Sequence, residues 1–217
     1  MARRMPISPL RDRESLLRKP GRRPPRSITL IVCEGETEQE YFEAARIRYG
    51  LTTAQIVLAE NTKGAAPISV VACAEVKCAD HGGYDRVYCV FDRNGHESFD
   101  RARARIKTLA GRKNKPLPIR EAISIPCFEF WVLLHHERTD APFQRCADVI
   151  ERLRERMPGY EKAHAVIARQ LMSSLEQALD NAAWVETRVE HTERNPYTSV
   201  HHVLRHFAQV ADQKDIA

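Results

Sequence analysis

The chain has 217 residues, 43% of them hydrophobic and 29% charged, the balance of a globular protein able to bury a sizeable core. No stretch approaches the roughly 20 apolar residues that span a bilayer, and the basic N-terminus lacks the apolar run of a signal peptide, so a cytoplasmic protein with no membrane partner is expected. The net charge of +5 is lopsided: residues 1–26 hold nine Lys or Arg against Asp12 and Glu14, a local +7 that leaves the remaining chain at −2.

That Pro-, Gly- and Arg-rich arm cannot bury enough apolar surface to order itself. Arg22, Arg23 and Arg26 are its candidates for contact with nucleic-acid phosphates. A solvated or partner-docking arm fits the same composition. The six cysteines form no CxxC pair, and Cys33 and Cys89 lie inside apolar runs. Buried reduced thiols are therefore expected, rather than disulfides or a zinc site.

The first strand is expected over 27–33, running into Glu34-Gly35-Glu36-Thr37-Glu38. Glu34 directly follows the strand, with Gly35 offering a sharp turn. Glu36 and Glu38 open a helix over 37–49, where the helix dipole alone also favours acids. A second strand, 55–59, leads through a polar loop to a helix over 67–80. Lys63 in that loop is a candidate phosphate ligand, although a solvated lysine is the simpler expectation.

The third strand, 86–91, ends in Asp92-Arg93-Asn94-Gly95-His96. Asp92 offers a carboxylate and Asn94 a neutral carbonyl oxygen, unless Asn94 caps the following helix over 97–110. His96 can orient a phosphate, act as an acid or bond locally. Carboxylates at the C-terminal ends of two buried strands suit Mg²⁺ or Mn²⁺, which prefer hard oxygen donors.

A fourth strand over 119–125 precedes Pro126, well placed to open a helix. Glu129 lies in the otherwise apolar run Phe128-Glu129-Phe130-Trp131-Val132, where an unpaired carboxylate is costly. A metal or an arginine is its expected partner. Beyond residue 140 the pattern is helical: 143–157, an amphipathic stripe over 161–183, a turn at Asn195–Ser199 and a last helix over 199–211. Strands alternating with helices predict an α/β core over 27–140, a mostly parallel sheet flanked by helices, with a helical part over 141–217. Walker A, GxSxG, HExxH and GxGxxG motifs are all missing, which removes the commonest nucleotide-binding, hydrolase and zinc-protease classes.

Four segments carry a resemblance. Val32-Cys33-Glu34-Gly35-Glu36-Thr37-Glu38 with Tyr41-Phe42, Val90-Phe91-Asp92-Arg93-Asn94-Gly95-His96, Ile125-Pro126-Cys127-Phe128-Glu129-Phe130-Trp131 and Asn195-Pro196-Tyr197-Thr198 resemble, in order, the RloB-like family. That family is similar to the TOPRIM fold of topoisomerases, primases and overcoming-lysogenization-defect nucleases. The resemblance implies Mg²⁺ or Mn²⁺ bound by Glu34 and Asp92, with Asn94 in place of a second aspartate and Glu129 supplying the missing charge. It also implies a nuclease acting on DNA or RNA in phage defence, beside an ABC- or AAA-type ATPase. Glu34, Asp92, Glu38 and His96 are then the candidate catalytic residues. The competing expectation is a nucleic-acid- or nucleotide-binding regulatory subunit whose metal site is degenerate.

Overall fold

The computed structural model describes residues 27–59, 66–188 and 195–215. Arg22, Arg23, Arg26 and Lys63 lie outside them, as does the whole basic arm. In chain order the elements are β1 (Thr29–Cys33), α1 (Glu36–Arg48), β2 (Ala54–Leu58), α2 (Pro67–Asp80), β3 (Arg86–Asp92), α3 (Phe99–Ala110), β4 (Ile119–Ile125) and α4 (Glu129–Leu133). Then come α5 (Cys146–Arg156), α6 (Ala165–Leu171), α7 (Leu175–Arg188), β5 (Tyr197–Thr198) and α8 (Val200–Asp215).

The described strands form one sheet in the order β2-β1-β3-β4-β5, parallel except for β5. Strand alternation sends successive side chains to opposite faces, and each face is buried under helices. Leu30, Val32, Val87, Cys89 and Phe91 pack with residues of α2 and α3. Ile31, Cys33, Tyr88 and Val90 face the other core, with Tyr41 and Phe42 of α1, Trp131 of α4 and Phe207 of α8. The result is a three-layer α/β fold.

This topology decides where a ligand would sit. The chain leaves β1 toward β2 on one side, then returns past β1 to β3 on the other. The strand order therefore reverses between β1 and β3, and the crevice outside the carboxyl ends at such a reversal is where open α/β sheets bind ligands. Glu34 follows β1 and Asp92 ends β3, one on each side of that crevice.

Three local expectations are corrected. The helix expected to open at Pro126 begins instead at Glu129, with Phe128 as its N-terminal flank, because residues 126–128 form the turn off β4. The stripe over 161–183 is not one helix. It starts at Ala165 and is interrupted by a 3₁₀ turn at Met172–Ser174, where Ser173 and Ser174 hydroxyls donate to the carbonyls of Gln170 and Leu171. Serine side chains compete with the backbone ladder in this way. Finally, the turn at 195–199 contains β5, which pairs antiparallel with the end of β4, Ser124 opposite Thr198 and Ile125 opposite Tyr197. A two-residue strand has no periodicity to read.

Candidate metal centre

The β1 strand places the Glu34 backbone N–H on the Val90 carbonyl, 3.0 Å away, fixing the first acid against β3. Its side chain then turns toward β3: Glu34 Oε2 accepts the Asp92 backbone N–H at 3.0 Å, and Oε1 lies 3.4 Å from His96 Nε2. One oxygen or nitrogen from each of Glu34, Asp92 and His96 falls within 4.8 Å of the other two. Three of the residues singled out from sequence thus converge.

Glu38 joins them from the first turn of α1, where it is buried. The helix dipole offers no reason to bury it. Gly35 explains how it fits. Its backbone is extended, with φ −136°, a conformation open to any residue, so the bend at Glu34–Gly35 does not need glycine's conformational freedom. What glycine provides is space, since a Cβ at Gly35 would stand 2.9 Å from Glu38 Oε2.

Glu129 enters from the N-terminus of α4 and is 2% exposed. Its partner among the described residues is not an arginine. It is Lys162, whose Nζ lies 2.7 Å from Glu129 Oε1. Lys162 carries no sequence signal; it sits in an irregular turn between α5 and α6. That turn is pinned to α1 by the Ala163 N–H donating to Thr37 Oγ1 at 3.1 Å. Ala163 holds φ +54°, a left-handed conformation that costs a non-glycine residue about 1 kcal/mol or more.

Asn94 is less closely engaged. It is exposed, has φ +26°, and its backbone N–H donates to the Pro126 carbonyl at 2.9 Å. It does not cap α3, which begins at Phe99 after Ser98.

The cysteines depart from expectation beside Glu129. Cys127 and Cys146 form a disulfide with Cα atoms 5.5 Å apart, and Cys33, Cys78 and Cys89 take no part in a disulfide. The packing of α5 on α4 brings together two thiols 19 residues apart, a proximity that spacing and composition do not reveal. Cys146 Sγ lies 3.2 Å from Glu129 Oε2.

The electrostatics follow from four carboxylates sharing one half-buried rim. Burial first, then the neighbouring charges of Asp92 and Glu38, push the Glu34 carboxyl up to about 8, against the lowering effect of the Asp92 N–H. Burial, Asp92 and Glu129 push Glu38 up to about 8, although its own N–H and Lys162 pull the other way. Burial and Glu129 raise Asp92 to about 7, opposed by the Phe128 N–H and Lys162. Like charges confined in low dielectric hold protons unless a cation joins them. The donor set is oxygen-rich and lies at the sheet rim, so it fits a hard divalent cation such as Mg²⁺ or Mn²⁺.

Among the described residues no helix is long and apolar enough to cross a membrane. The family model for RloB-like proteins matches residues 29–207, the span that contains every residue of this rim. No curated protein and no solved structure matches the chain.

Proposed function

The chain belongs to the RloB-like protein family, and from that premise we propose that it is a Mg²⁺- or Mn²⁺-dependent nuclease acting in antiphage defence with an ABC- or AAA-type ATPase. The observation that carries the proposal is the gathering of Glu34, Glu38, Asp92 and Glu129 around the β1/β3 crevice, with burial and mutual repulsion raising three of them. Glu34 and Asp92 would hold the ion, with Glu129 and Asn94 supporting it. A bound divalent ion supplies Lewis-acid polarisation of a phosphodiester and lowers the pKa of a water. Glu38 or His96 takes up or returns the proton. Lys162, half exposed beside Glu129, would meet a phosphate oxygen. The basic arm, through Arg22, Arg23 and Arg26, and Lys63 would hold the nucleic-acid backbone without reading sequence. The defence role and the ATPase partner rest on the family resemblance.

A second reading, a binding or regulatory subunit with a degenerate site, is favoured by one observation: Asn94 stands where a second aspartate is expected and lies exposed. The test is incubation of the purified full-length chain with plasmid, single-stranded DNA and tRNA in Mg²⁺ or Mn²⁺. Cleavage lost in both Glu34→Gln and Asp92→Asn, with unchanged circular dichroism, supports the nuclease. Cleavage unchanged in both variants ends this mechanism. Cleavage that appears only with the ATPase partner and persists in both variants supports the regulatory reading.

A further inference from the structure

A second cluster of ligating side chains lies away from the carboxylate rim, where the last turn of α7 meets the first turn of α8. His201 Nε2 stands 3.1 Å from Glu186 Oε2, and His202 Nε2 stands 3.1 Å from Glu186 Oε1. One ligand atom from each of the three residues falls within 4.8 Å of the other two. The two imidazoles, adjacent in sequence, stack with centroids 4.0 Å apart, so both present Nε2 to the same carboxylate. His201 is fully buried, and its Nδ1 has no hydrogen-bond partner among the described residues. The side toward Glu186 is therefore the polar outlet of that ring.

We propose that Glu186, His201 and His202 form a binding site for a borderline transition-metal ion of the Zn²⁺ class, independent of the carboxylate rim. The donor chemistry selects the ion. Two imidazole nitrogens and one carboxylate suit Zn²⁺ and its neighbours, whereas Mg²⁺ prefers oxygen ligands and keeps its water. The spacing suits it as well. Metal–ligand bonds of about 2.0–2.2 Å in a tetrahedron give ligand–ligand edges of roughly 3.3–3.6 Å, and each histidine nitrogen stands 3.1 Å from its own Glu186 oxygen, slightly inside that edge.

The surroundings complete a site of three protein ligands and an open position. The side chains of His202 and Glu186 are 48% and 36% exposed, which leaves water access for the fourth ligand. The Tyr197 hydroxyl donates to Glu186 Oε1 at 3.4 Å, the kind of outer contact that orients a ligating carboxylate.

The position suggests what the ion does. It would clip the last turn of α7 to the first turn of α8, adding a cross-link between the two helix ends. Just before α8, Thr198 Oγ1 lies 3.0 Å from Ser124 Oγ, and the Ser199 N–H donates to the Ile123 carbonyl at 2.9 Å. Ser124 is in turn the register partner of Asp92. The clip would thus steady the sheet edge beside the nuclease rim.

The experiment uses the untagged full-length chain, stripped with chelator and titrated with Zn²⁺ against a chromophoric competitor, and separately with Co²⁺. One tight Zn²⁺ per chain is expected, not displaced by excess Mg²⁺, and Co²⁺ should give the visible absorption of a tetrahedral nitrogen–oxygen site. His202→Ala removes an exposed ligand without opening the core, and should weaken Zn²⁺ binding at least about tenfold while circular dichroism is unchanged. Glu34→Gln should bind Zn²⁺ like the wild type. Wild-type affinity in His202→Ala, loss of the ion in Glu34→Gln, or no stoichiometric Zn²⁺ at all would each overturn the proposal and leave a histidine–carboxylate hydrogen-bond cluster.

Discussion

Lys162, in the turn between α5 and α6, and Glu129, at the start of α4, are joined at 2.7 Å, the lysine half exposed and the glutamate 2% exposed. Removing one partner of a fully buried pair costs about 3–5 kcal/mol. Here solvent screens the lysine, so the expected cost is smaller. Lys162→Met should destabilise the chain by about 1–3 kcal/mol in urea unfolding. Glu129→Gln should cost less, because it also relieves the repulsion on Asp92 and Glu38.

The raised carboxyls predict the pH dependence of the ion-free chain. Glu34 and Glu38 move from 4.5 to about 8, and Asp92 from 3.8 to about 7. Between the ordinary and raised values the folded state binds more protons than the unfolded state, so stability falls as pH rises. Thermal unfolding without divalent ions should therefore show a lower midpoint at pH 9 than at pH 6 (roughly one unit outside the raised values on either side). Glu34→Gln should flatten that slope.

Proton and metal compete for the same oxygens. Added Mn²⁺ should raise the unfolding midpoint at about pH 8 more than at about pH 5.5, where the raised carboxyls hold their protons, because ions that bind only the folded state stabilise it by mass action. A Mn²⁺ stabilisation equal at both pH values, or retained in Asp92→Asn, would count against the rim as the binding site.

Gly35 separates space from flexibility. Gly35→Ala meets no backbone strain, and the added Cβ presses the movable end of Glu38, 2.9 Å away. Stability should change by less than about 1 kcal/mol. Mn²⁺ affinity and cleavage should fall together, measurable by calorimetry and plasmid nicking.

Phe207 of α8 is fully buried, with its ring against Phe42 of α1 and Tyr49 just past the end of that helix. Phe207→Ala should cost about 3–5 kcal/mol in a single cooperative unfolding transition. A biphasic transition would mean that the helical C-terminal part folds separately from the sheet.

The sequence by itself determined the sheet and its rim. Strands such as Leu30-Ile31-Val32 and Val87-Tyr88-Cys89-Val90-Phe91 are apolar on both faces, which demands helices on both sides, and each run stops at an acid. Glu34 and Asp92 were legible because a strand's end is a local event. Tertiary structure alone decided the rest. The burial of Glu38 depends on a missing Cβ at Gly35, the partner of Glu129 arrives from a turn at residue 162, and Cys127 meets Cys146 only when α5 packs on α4. The pairing of His201 and His202 with Glu186 likewise joins two helices separated by an intervening segment. Apart from the local Gly35–Glu38 pair, each is a contact between residues distant in sequence, and periodicity records which face a residue occupies, not which neighbour it finds there.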